Sequence, residues 1–187
     1  MKYIKLLAVL FISSLTIVSC SDDNPTPVNE EEVITTVTVE LTPASGGTKV
    51  TLTSEDSDGD GPNAPVITGG TLAAGVTYNG VIRLENKTET PAENVTEEVA
   101  KEADEHQFFY RATGVTSTFT YAGANDSNGN PVGINFTVVT GTAGTGSYTI
   151  TLRHEPNKSA AGVKDGDITN AGGETDVEVV FPITLAK

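Results

Sequence analysis

The chain has 187 residues, a net charge of −14, one cysteine and no tryptophan. That length suits one ordinary domain with a short tether. The acid excess repels nucleic acid and anionic lipid surfaces, so no nucleic-acid partner is expected, and a lone cysteine supplies neither an intrachain disulfide nor a thiolate metal cluster.

At the start, Lys2 and Lys5 precede an uncharged, mostly apolar run from Leu6 to Val18. A charged start followed by an apolar stretch short of a comfortable membrane span predicts a secretory signal over residues 1–19. Ser19-Cys20 resembles the lipobox of bacterial lipoproteins, which implies that Cys20 is lipidated at its thiol and becomes the acylated first residue after cleavage. Ser21-Asp22-Asp23 likewise resembles the export signal of surface lipoproteins from Bacteroidetes-type bacteria. The alternative is an ordinary cysteine inside an uncleaved signal. On the lipoprotein reading the membrane is a partner through the lipid anchor, where each buried methylene contributes about 0.8 kcal/mol. Loss of Lys2 and Lys5 moves the net charge from −14 to −16. Residues 20–32 carry the cysteine and then a Pro-rich acidic run (SDDNPTPVNEEE), expected to be a flexible tether.

From Val33 the pattern changes to period two: Val33, Thr35, Val37, Val39 and Leu41 share a face, which predicts a half-buried strand. A turn at Pro43 to Gly47 leads to a second strand at Val50 and Leu52. Thr71 to Ala74 is a short or edge strand, and Ile82 and Leu84 face inward on the next, where Gly80 marks a bulge or a close approach. Thr90-Pro91-Ala92-Glu93 has the form of a capped helix start, and Ala92, Val95, Val99 and Ala103 recur at helical spacing, so a helix is expected over 91–104 with Glu97, Glu98 and Glu102 on its wet face. Further strands follow at Phe108 to Arg111, Val115 to Tyr121, Ile134 to Val138, Tyr148 to Leu152 and Val177 to Leu185. The segment Thr140 to Ser147 is expected to be a turn, and Pro182 points to an edge or a bulge. Eight or nine strands with one inserted helix predict an all-β antiparallel β-sandwich, immunoglobulin-like or transthyretin-like, over residues 33–187.

Two sites stand out. His106 is in register with Phe108 and Tyr110 at a strand start, and His154 with Ile150 and Leu152 at a strand end. If those strands are antiparallel neighbours, both imidazoles fall at one rim with Asp104, Glu105 and Glu155, a donor set for zinc, copper or iron. The bland alternative is that each histidine merely caps its strand. Asp56, Asp58 and Asp60 before Gly61 match the first half of a calcium loop, but Ile67 stands where a bidentate glutamate is needed, so an EF-hand is excluded. Asp and Gly also suit any exposed turn. No nucleophile elbow occurs, and the paired carboxylates lie on solvated runs, so no catalytic residue and no enzyme are expected.

Three segments, SEDSDGDGPN (54–63), DEHQFFY (104–110) and GDITNAGGET (166–175), resemble an uncharacterised group of Bacteroidetes lipoproteins. These carry the label of a type 1 periplasmic binding fold, which implies a two-lobed α/β protein, in contrast to the strand-rich pattern of this chain. The resemblance further implies an outer-membrane lipoprotein, on the periplasmic face or the cell surface, that partners a TonB-dependent transporter in ligand uptake. A structural or adhesive surface module, with calcium only rigidifying the Asp loop, is the alternative.

Overall fold

In a computed structural model, residues 32–59 and 61–187 are described. Cys20, the signal segment and Asp60 lie outside these residues, as does the tether except for Glu32. The sandwich belongs to a compact unit spanning Glu31–Lys187.

Ten strands are formed among the described residues: β1 (Thr36–Pro43), β2 (Val50–Glu55), β3 (Val66–Thr68), β4 (Gly70–Ala73), β5 (Thr77–Glu85), β6 (His106–Thr113), β7 (Ser117–Ala122), β8 (Asn135–Thr140), β9 (Gly144–His154) and β10 (Glu174–Ala186). They build two sheets, one ordered β3-β2-β1-β5-β8-β7 and the other β4-β10-β9-β6. The two pack as an all-β sandwich, as the alternation predicts, and the two-lobed α/β architecture is not formed. Pairing is antiparallel except between β10 and β4, which run parallel. The period-two residues Val37, Val39 and Leu41 of β1 meet Leu152, Phe181 and Ile183 of the opposing sheet in one apolar core. Burying each such side chain contributes about 1.5–3 kcal/mol, so the alternation alone selects which face of each strand turns inward.

Gly80 is a close approach. A Cβ there would stand 2.3 Å from Cζ of Phe136, whose ring lies against the bare backbone. The predicted turn Thr140 to Ser147 is instead half strand, because β9 begins at Gly144 and pairs with the far end of β10. Pro182 sits on an inner strand rather than an edge. β4 pairs with β10 only from Ile183 onward, so at Pro182 that flank of β10 has no ladder to interrupt.

The helix α1 (Val95–Lys101) is shorter than expected. Glu93 pairs backbone to backbone with Asn86 instead of closing a capping box, so the chain is still extended where the sequence predicts a first turn. Val95 and Val99 are buried against the core, and the Thr96 hydroxyl exchanges hydrogen bonds with the backbone of Leu84. This anchors α1 on β5 and delivers the chain, through the turn at residues 102–105, to His106 at the head of β6.

Candidate metal centre

β6 and β9 are antiparallel neighbours, and their register places His106 directly opposite His154. The two rings stack with centroids 4.6 Å apart and planes 27° from parallel. His106 is fully buried and the His154 side chain is 7% exposed.

The remainder of the site comes from a bulge. Thr175 pairs with Arg153 but Val177 pairs with Leu152, so Asp176 is an extra residue in β10. Such a bulge re-aims a side chain. Asp176, which strict alternation would place on the outer face with Glu174 and Glu178, turns inward instead, and its side chain is 1% exposed. Its carboxylate lies between the two imidazoles, Oδ2 3.7 Å from His106 Nε2 and Oδ1 3.7 Å from His154 Nδ1. Gly173, in the left-handed region at φ +67°, lets β10 begin here, since a Cβ would stand 2.1 Å from the carbonyl oxygen of His154.

Ring chemistry then orients the donors. His106 Nδ1 lies 3.2 Å from the carbonyl oxygen of Glu102, which only accepts, so Nδ1 carries a proton and Nε2 is the nitrogen turned to the site. Fixing a ligating imidazole by a carbonyl on its other nitrogen is a common outer-shell device at metal sites. Glu32 adds its Oε1 at 3.3 Å from the same Nε2. Burial depresses the His106 imidazole, but the Glu32 carboxylate, the Glu102 carbonyl and Asp176 outweigh it and hold it above its ordinary range. Among the described residues, neither His106 Nε2 nor His154 Nδ1 makes a hydrogen bond of good geometry, although both are buried.

Three overlapping sets can hold a metal ion: His106, His154 and Asp176; Glu32, Glu102 and His106; and Glu105, His154 and Glu155. Within each set the ligand atoms lie within 4.8 Å of one another. A tetrahedral shell with bonds of about 2.0–2.2 Å has edges of about 3.3–3.6 Å, close to the separations of 3.3 and 3.7 Å seen here.

Of the residues expected at this rim, His106, His154, Glu105 and Glu155 come together, with His154 Nε2 3.7 Å from the exposed Glu105 carboxylate. Asp104 does not join them. Its carboxylate turns away and accepts from the Ser127 amide and hydroxyl, fixing the loop after β7. Asp176, Glu32 and Glu102 are the donors that the sequence reading missed. The only sequence trace of Asp176 is an acid directly before the clean alternation that starts at Val177.

The Asp loop offers less. Asp58 accepts from the amide and side chain of Asn63, and that side-chain hydrogen bond keeps its carboxyl below the usual range. Among the described residues, this loop gathers no group of three ligand atoms.

Also among them, no helix is long and apolar enough to cross a membrane. Comparison of the chain with protein-family models, curated proteins and solved structures finds no match.

Proposed function

We propose that this protein is a lipid-anchored lipoprotein of the cell envelope. Its sandwich captures a divalent transition-metal ion or a compound bearing one, as an accessory to TonB-dependent uptake at the outer membrane. One observation carries the capture reading: two buried histidines, opposite each other across β6 and β9, aim unpartnered ring nitrogens at one carboxylate. The anchor and the uptake role rest on the Ser19-Cys20 lipobox resemblance and on the lipoprotein resemblance of the later segments. The donor set of imidazole and carboxylate suits zinc, copper(II) or iron(II), and no thiolate competes for them at the rim.

The test is elemental analysis and calorimetric titration of the full chain purified without chelator, beside His106→Ala and His154→Ala. The expected result is one zinc, copper or iron per chain, lost in both variants, with binding weakened at least 100-fold. Saturating metal at about 100 times Kd should also stabilise the wild type by about 2.7 kcal/mol in thermal unfolding. Calcium alone, unchanged in the variants, would overturn the capture reading in favour of a structural module built on the Asp56–Asp60 loop. Absence of all metal would leave a sandwich that binds a partner by other means.

A further inference from the structure

The sandwich leaves one side open. β6 ends one sheet and β7 ends the other, and these two edges do not pair with each other. Between them runs a groove of about 650 Å³, within the usual size of small-molecule sites, about 300–1,000 Å³. It lies further along β6 than His106 and shares no residue with the groups that can hold a metal.

The floor of the groove is made of rings whose polar ends are already engaged. Tyr110, Phe119 and Tyr121 are half-buried there. Tyr110 stacks on Phe119 with centroids 5.3 Å apart and meets Tyr121 at 6.0 Å. The Tyr110 hydroxyl donates to the carbonyl of Gly133, and the Tyr121 hydroxyl donates to that of Phe108 at 2.6 Å. Burial pushes both phenols up, Tyr121 to about 12, so they stay neutral. With these hydroxyls bonded within the protein, what remains for a ligand is ring surface. The floor is also fixed in place. The buried Gln107 amide donates to the Tyr121 hydroxyl at 2.9 Å and to the Val163 carbonyl at 2.7 Å. It thereby ties the floor to the 3₁₀ turn Val163–Asp165, which supplies part of one wall.

The walls carry charge of the less common sign. The chain stands at −14, and most of its cations are committed. Lys49, Arg83 and Lys87 lie beside carboxylates, Lys158 is in its buried pair, and Arg153 donates to the carbonyls of Gly172 and Gly173. Arg111 of β6 and Lys164 of the turn differ from these. Both are exposed at the groove, and neither makes a hydrogen bond or an ion pair among the described residues. Asp165 is the one carboxylate in the lining, so two cations less one anion leave +1 there, against the sign of the whole molecule. Two uncommitted cations beside neutral rings suit a ligand that is anionic at one end and apolar at the other. A guanidinium also matches a carboxylate through two parallel hydrogen bonds.

We infer that this groove is a second binding site, for a small organic carboxylate whose apolar body lies on Tyr110, Phe119 and Tyr121 while its anionic end meets Arg111 and Lys164. The site goes beyond the metal reading and stands or falls without it.

The probe is naphthoate, set against its neutral counterpart naphthalenemethanol, with binding to the full chain followed by amide chemical shifts. One variant carries Arg111→Gln with Lys164→Gln. A control carries Lys101→Gln with Lys187→Gln, which removes two exposed cations elsewhere. Because Arg111 and Lys164 hold no partner, the first variant should unfold in urea as the wild type does. Naphthoate should bind with a Kd of about 1 mM or tighter, the affinity ordinary for a ligand of its size. Its shifts should gather at residues 110–112, 117–121 and 164–166. The alcohol on the wild type, and naphthoate on the Arg111 and Lys164 variant, should each bind about 10-fold or more weaker. The control should bind naphthoate as the wild type does. Equal binding of acid and alcohol, or unchanged binding to the Arg111 and Lys164 variant, would overturn the inference and leave an apolar groove without charge preference. Naphthoate shifts scattered away from the groove, or no shifts at all, would overturn it too.

Discussion

Lys158–Asp126 and His106–His154 are both buried polar clusters beneath the same end of the sandwich, but the first closes on itself and the second does not. Lys158 Nζ donates to the carbonyls of Ala103 and Pro131 and to Asp126 Oδ2, using its three protons on three acceptors. Asp126 in turn accepts from the amides of Asn128 and Asn130 and from the Asn130 side chain. In the histidine cluster, by contrast, His106 Nε2, His154 Nδ1 and Glu32 Oε2 are buried without hydrogen-bond partners. A buried polar cluster with every donor matched is a structural clasp, here holding the end of α1 to two loops. A cluster in which buried ring nitrogens and carboxylates face one another, with a carboxylate oxygen left without a donor, favours something cationic, an imidazolium or a metal ion.

The largest effect that would test this contrast is at the clasp. Lys158→Met removes one partner and strands the Asp126 carboxylate in the interior, so urea unfolding should show a loss of about 3–5 kcal/mol. Unfolding with little loss would mean that the clasp opens to water and that the two clusters differ less than their geometry indicates. The Lys158–Asp126 pair also sets an acid limit. Burial raises the Asp126 carboxyl and presses the Lys158 ammonium down, but the Asn130 amide and Lys158 outweigh burial at Asp126 and hold it below the ordinary carboxylate range. A carboxyl depressed in the folded state stabilises fully above its unfolded value of about 3.9, and that contribution is lost as pH falls through the lower folded value. The stability gap between wild type and Asp126→Asn should therefore be flat from pH 7 to about 5 and shrink below about pH 4, measured by urea unfolding at each pH. A gap that widens in acid would reverse the sign argued here.

The smallest effect separates Asp104 from the metal centre. Asp104→Ala should cost about 1 kcal/mol through the lost bonds to Ser127 and leave metal affinity unchanged. A tenfold loss of affinity would return Asp104 to the site and break the division between loop-fixing and metal-facing acids.

Much of this was legible in the chain itself. Period-two alternation from Thr35 onward, and again from Val177, specified strands and their inner faces, because each register slip would turn a row of valines and leucines to water, whereas Val33, read onto the same inner face, is 51% exposed ahead of β1. The histidine rim was legible on one condition, that the strands carrying His106 and His154 be antiparallel neighbours, which the structure meets. Four things were not. The start of α1 depends on a backbone bridge between Asn86 and Glu93, a long-range choice that competes with local capping chemistry. Asp104 and Glu105 are adjacent and chemically alike, and only the position of the loop carrying Ser127 decides which of them leaves the rim. Asp176 reads as an outward residue until a one-residue bulge in β10 reverses it, and Glu32 reads as tether until its side chain is seen against His106. Local patterning determined the strands and their inner faces through side-chain periodicity, and the pairing of β6 with β9 then brought the histidines together. The carboxylates that complete the site were decided by tertiary structure, because a bulge and a chain entry are settled by packing between strands far apart in sequence.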